Sequence, residues 1–293
     1  VDGGGARRYL VAMSELPASA RWLPARTFEG EVAVVTGGGT GLGLEISRGL
    51  AALGARVVVA SRNVEHHAAL LDEARIRGWH VESIALDVRE PKLVREAAER
   101  VIATHGRVHV LVNNAAGNFV CPAERLSPNA WRAVLSIVLD GTFYCSQAFG
   151  RSMIAGRGGR ILNIVATYAW TGMAGVVHSA SAKAGVLAMT KSLAAEWSHF
   201  NLRVNAIAPG PFHSEGARQN LWPDPEVERA IAERIPLKRF GTADEVAAHS
   251  LYLLSPACDY VTGECLVVDG GASLGNEMWA HGERSRRVKR ESS

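Results

Sequence analysis

Three observations predict an α/β protein built on one doubly wound parallel sheet. Short β-branched runs alternate with helix-length segments from residue 31 onward. The runs are continuously apolar, as strands covered on both faces must be. A glycine-rich turn, Thr36-Gly37-Gly38-Gly39-Thr40-Gly41-Leu42-Gly43, joins the first run to the first helical segment. With 293 residues, 47% of them apolar and 21% charged, the chain can bury one large core. No second glycine-rich turn, repeat or Pro/Ser linker argues for a second domain.

In chain order, residues 1–27 read as an N-terminal extension rich in Gly, Ala, Arg and Pro, with Met13 a candidate natural start. Disorder is expected to about Ser14, and Trp22-Leu23-Pro24 is expected to pack on the domain surface. The domain proper spans 28–275. Strands are predicted at 31–36, 56–60, 80–86, 108–112, 160–165, 202–208 and 264–268, which makes a Rossmann-like sheet of seven strands with helices on both faces. Three helix starts are legible: Ser127-Pro128, Asp224-Pro225, and Thr242 with Glu245 as a capping box. Residues 276–293 form a basic tail.

Bulk chemistry excludes several classes. A net charge of +3 with dispersed arginines leaves no nucleic-acid footprint. No apolar run approaches the ~18 residues of a membrane span. Cys121, Cys145, Cys258 and Cys265 show no CxxC pairing and no metal-ligand spacing, so they read as reduced thiols, and no metal is expected. A cytoplasmic setting follows from this usage, with an organelle matrix left open.

The glycine-rich turn is a phosphate cradle. Gly37, Gly41 and Gly43 let the turn close and the backbone approach a pyrophosphate, which then meets the free N–H groups around Thr40 and Leu42 at the helix start. At the end of the second strand, Ser61 and Arg62 stand where a ribose 2′-OH would call for a carboxylate. A hydroxyl and a cation suit a 2′-phosphate, so NADPH/NADP is expected, with tolerance of both cofactors the alternative. Asp87, followed by Val88, is placed to accept from the adenine amine.

Together with the turn Asn113-Asn114-Ala115-Ala116-Gly117, with Lys183 and with Pro209-Gly210-Pro211, these motifs resemble the short-chain dehydrogenase/reductase family over about residues 28–275. The resemblance assigns Asn114, Ala115, Lys183, Pro209, Gly210, Pro211 and Phe212 to the cofactor, and it implies a homotetramer. The family's usual catalytic positions read Asp140, Ala166, Ser179 and Lys183 here, so only the lysine remains. The tyrosine nearest the site is Tyr168, fifteen residues before Lys183.

That spacing resembles the 2,4-dienoyl-CoA reductases, the mitochondrial type in particular. So do Asn114-Ala115-Ala116-Gly117-Asn118-Phe119, the segment from Arg125 to Trp131, and the run from His178 to Gly185. The resemblance makes Tyr168, Asn118, Ser179 and Lys183 the catalytic set and gives Arg89, Phe119 and Ser127 contacts to an acyl-CoA; the family's further basic contact falls on Asn220, with Arg218 as its replacement. The chemistry agrees with this set. Hydride addition at the far end of a conjugated thioester develops charge on an oxygen several atoms away, where two neutral donors are wanted. Ser179, one turn before Lys183, is expected to bond to it. Protonation at C2 would give a 3-enoyl-CoA. Trp222 and Pro223 are expected in a substrate lid. His66, His67, His178 and His199 read as surface or packing residues, His178 alone lying near the site. A ketone or 3-oxoacyl reductase, and a non-enzymatic NADP(H)-binding module, stay open beside this reading.

Overall fold

Apolar residues in consecutive positions cannot all face one side of a strand, so each strand here supplies two cores. The structure, a computed structural model, describes residues 16–213 and 224–274. Its main sheet contains β1 (Val32–Thr36), β2 (Arg56–Ser61), β3 (Val81–Ala85), β4 (Val110–Asn113), β5 (Gly159–Ile164), β6 (Leu202–Pro209) and β9 (Cys265–Val268). All pairings are parallel, in the order β3-β2-β1-β4-β5-β6-β9. Two-residue strands β7 (Phe212–His213) and β8 (Gly241–Thr242) pair apart from it. All seven predicted sheet strands are present, with ends shifted by at most two residues.

The helices are α1 (Gly41–Ala52), α2 (Ala68–Arg77), α3 (Pro91–His105), α4 (Pro128–Leu135), α5 (Gly141–Ala155), α6 (Tyr168–Thr171), α7 (Val177–Trp197), α8 (Pro225–Arg234) and α9 (Ala243–Leu254). On one face, Ala33, Val35, Val57, Val59, Val110 and Val112 pack with Ile46 and Leu50 of α1 and Leu251 of α9. On the other, Val32, Val34, Val58 and Leu111 pack with Val94 of α3, Phe149 of α5 and Leu193 of α7. Odd and even positions of the same strands thus feed different layers. The predicted helix starts hold as drawn: Ser127 accepts from Ala130 N, Asp224 from Glu226 N, and Thr242 with Glu245 closes a reciprocal capping box.

Trp22 departs from expectation. It is 83% exposed, and the segment is anchored instead by Ala20, which is buried, with Leu23 packed beside it. No disulfide joins Cys258 to Cys265; all four cysteines are free. Arg160 has a structural role that no motif announced. On β5 it bonds Glu31 ahead of β1 and donates to Leu254 O at the end of α9, while its guanidinium lies over the Phe28 ring. This buried cation ties three distant segments at the end of the sheet opposite the site.

Candidate active site

Strand order reverses between β1, which continues outward to β2 and β3, and β4, which continues to β5 and β6. Ligands of such sheets bind outside the carboxyl ends at that switch point. A cleft of about 530 Å³ opens there, lined among others by Gly37, Gly39, Thr40, Ser61, Arg62 and Asp87. Val88, Asn114 and Ala115 also line it.

The residues fit a dinucleotide. Gly37 and Gly41 adopt φ of 64° and 52°, a conformation that side chains resist. A Cβ at Gly43 would come within 2.2 Å of Gly37 O, so the helix can start against the loop only with glycine. Thr40 precedes α1 without giving it a side-chain cap, which leaves the positive helix end for an anion. Thr36 Oγ1 accepts from the backbone N–H groups of Asn114 and Ala115, and Asn114 Nδ2 donates to Thr36 O and Gly37 O. Asn114 therefore braces the cradle with its side chain. Thr36 does the same from the other side, a role that its place in the motif did not announce.

Farther along the cleft, Arg89 folds onto Asp87 with bonds of 2.9 Å and 2.5 Å. The bond holds the Asp87 carboxyl below its ordinary range. The expected acyl-CoA contact of Arg89 thus starts from a guanidinium already paired with Asp87, which lies two residues away and within reach. Ser127 accepts the cap bond of α4 at its Oγ and keeps its hydroxyl hydrogen to give. Beyond β6, Gly210 N bonds Val268 O, Gly241 N bonds Pro211 O, and Phe212 packs on the core. A Cβ at Gly210 would meet Asp269 at 2.5 Å. Pro209 closes β6 at the same sheet edge. Arg218, Asn220, Trp222 and Pro223 lie outside the described residues.

The catalytic candidates converge from β5, α6 and α7. Tyr168 opens α6, a four-residue helix, and its ring turns toward α7, where Oη lies 3.1 Å from Ser179 Oγ. Burial pushes the phenol above its ordinary value, with the Ser179 bond opposing. The group is thus a neutral donor near pH 7. Lys183, one turn beyond Ser179, is buried and donates to Ile164 O at 2.5 Å. Burial lowers its ammonium to about 8. Ser179 consequently bonds Tyr168, where a bond to Lys183 was expected; the carbonyl at the end of β5 takes the lysine.

Asn118 uses Oδ1 to accept from Phe119 N at 2.9 Å, which leaves its Nδ2 as the group able to donate. Phe119 meets the fully buried His178 ring in a tilted contact, with centroids 4.4 Å apart. Ala166 is buried, and Asp140 ends a π-helical turn, Ser136–Asp140, between α4 and α5. Such turns often mark functional segments. Behind the site, Asn113 Nδ2 donates to Asn163 Oδ1 and Asn163 Nδ2 to Thr190 Oγ1, a buried ladder linking β4, β5 and α7.

A dinucleotide cradle at the switch point and a tyrosine, serine and lysine beside it define a reductase of the short-chain type. A family model described as enoyl-(acyl carrier protein) reductase matches residues 37–273, and the chain belongs to this short-chain dehydrogenase/reductase family. It is 44% identical over 251 residues to a Bacillus subtilis (strain 168) protein named a probable 2,4-dienoyl-CoA reductase, (2E)-enoyl-CoA-producing; the match covers 84% of this chain and 98% of that protein. It is 43% identical over 246 residues to a Danio rerio peroxisomal 2,4-dienoyl-CoA reductase, (3E)-enoyl-CoA-producing, covering 83% and 82%. Among solved structures, a Burkholderia cenocepacia gluconate 5-dehydrogenase in complex with NADP and tartrate superposes with a TM-score of 0.81 at 34% identity, over 89% of this chain and 100% of that one.

Proposed function

We propose that the chain is an NADPH-dependent 2,4-dienoyl-CoA reductase of unsaturated fatty acid breakdown. The observation that carries this is the neutral Tyr168 phenol held on Ser179, set fifteen residues before Lys183. Ketone reduction needs its proton donor beside the carbon that accepts the hydride; a phenol displaced from the position four residues before Lys183 suits an oxyanion that develops several atoms farther off. The printed names of the two curated relatives agree with a dienoyl-CoA substrate. The NADP in the solved relative supports the cofactor, as does the pairing of Ser61 with Arg62 at the rim of the cleft.

Bound NADPH would supply the hydride to C5. The C4=C5 electrons then form C3=C4, and the C2=C3 electrons move onto the thioester as an enolate. Tyr168 and Asn118 donate to its oxygen, Ser179 fixes the phenol, and Lys183 holds the nicotinamide ribose. Protonation at C2 leaves the double bond at C3, whereas protonation at C4 would leave it at C2. The two curated relatives are named for different products, and we assign C2, giving the 3-enoyl-CoA. Homotetrameric assembly, on the strength of the family resemblance, and a cytoplasmic setting, from the cysteine usage, complete the reading.

The test is NADPH oxidation with 2,4-hexadienoyl-CoA and, separately, acetoacetyl-CoA, with the product double bond located by NMR. Oxidation with the dienoyl thioester alone is expected. Consumption of the oxoacyl thioester alone would replace this reading with ketone reduction, and a 2-enoyl product would overturn the assignment of C2.

A further inference from the structure

His67 takes no part in the mechanism above, yet it is fully buried directly beneath the cofactor cleft. Its Nε2 lies 2.8 Å from Ser61 Oγ and its Nδ1 2.6 Å from Ser83 Oγ. Ser61 Oγ also donates to Asn63 O at 2.7 Å. A hydroxyl has one hydrogen. With that hydrogen on Asn63 O, the bond to His67 requires Nε2–H to be the donor, and Ser83 then donates to Nδ1. Burial lowers the imidazole below its ordinary value, with His66 adding to the effect, which agrees with this neutral form.

The opposite tautomer would have a different consequence. Nε2 would then accept from Ser61, and the hydroxyl hydrogen would be lost to any ligand. The ring also floors the phosphate loop: a Cβ at Gly39 would come within 2.5 Å of His67 Cδ2. One side chain therefore touches both the loop and the hydroxyl that stands beside Arg62 at the cleft rim.

We propose that His67 is a positioning residue for cofactor choice: its Nε2–H, donating to Ser61 Oγ, holds that oxygen in place at the cleft rim and leaves the hydroxyl hydrogen to move from Asn63 O to a ribose 2′-phosphate. The inference rests on the NADPH reading given above. NADH lacks the phosphate, so its binding does not depend on where that hydrogen points.

Dissociation constants for NADPH and NADH are to be measured by cofactor fluorescence titration of the full chain carrying H67L, H67Q, S61A, or H67L with S61A. The expected result is a ~10-fold weaker NADPH binding in H67L, on the scale of one hydrogen bond to a charged group, with NADH changed less than ~2-fold on the same scale. Glutamine can donate from a similar position, so H67Q should recover part of the loss. Adding H67L to S61A should cost nothing further for NADPH. Equal weakening of both cofactors, or additive losses in the double variant, would overturn the proposal and leave His67 as packing. Arg62→Ala separates the two levels. If it too leaves the NADPH-to-NADH ratio unchanged, the 2′-phosphate reading itself fails; if it lowers the ratio while H67L does not, only the role of His67 falls.

Discussion

At the residue scale, the site turns on how burial treats two titratable groups. Tyr168 is made a poorer acid and Lys183 a weaker base. Tyr168→Phe should lower turnover of a dienoyl-CoA by ~10²-fold or more, the usual cost of losing one oxyanion donor, while NADPH titrates as before; near-normal turnover would remove the phenol from the mechanism. On the proposed mechanism, Lys183 sets a pH limb. Its ammonium is lowered from 10.5 to about 8, so kcat/KM, which reports the free enzyme, should fall as pH rises through about 8. The linkage to stability has the opposite sense. Between pH 8 and 10.5 the unfolded chain holds a proton that the folded lysine has released, so this group favours folding more as pH rises across that window. A rate profile flat to pH ~10 would show that the lysine charge is not used. The cradle glycines were legible from their place between strand and helix, and Tyr168 and Lys183 were singled out by the family resemblance; the structure brings the phenol to within 3.1 Å of Ser179, one turn from Lys183. The partners were not legible in the sequence. Whether Ser179 faces Lys183 or Tyr168 depends on where the carbonyl of Ile164 ends its strand, and Arg89 could not be seen to prefer Asp87 until both stood at one rim.

At the element scale, strand and helix limits came through well because continuous apolar runs and three caps each have a local cause. The β1 to α1 connection is the most constrained of these. Gly43→Ala would place a Cβ 2.2 Å from Gly37 O and 2.4 Å from Asn114 Nδ2, and backbone cannot yield as a flexible side chain can. Loss of NADPH binding is expected, read by fluorescence titration, with the far-ultraviolet circular dichroism of a folded sheet retained; undiminished binding would mean that the loop has room that the geometry denies. The π-helical turn at Ser136–Asp140 gave no such sequence signal, since no residue type marks an extra residue in a helical turn.

Across the whole molecule, the end opposite the site is held by Arg160, which is 9% exposed. Glu31→Ala would leave that guanidinium buried with its carboxylate partner gone, a change that typically costs ~3–5 kcal/mol. A lower thermal midpoint with unaltered cofactor affinity is expected; a midpoint within error of the parent would show the pair to be dispensable. Sequence alone did not pair residues 31 and 160, because their meeting depends on the order of strands, which no local pattern encodes. The Asn113–Asn163–Thr190 ladder extends this to time as well as space. Buried polar links of this kind open only when their surroundings do, so amides of β4 and β5 should exchange with deuterium last, long after those of the edge strand β3. On that order of exchange, Lys183 is mounted against the slow-opening strands, while Asp87, just past β3, stands on a faster one.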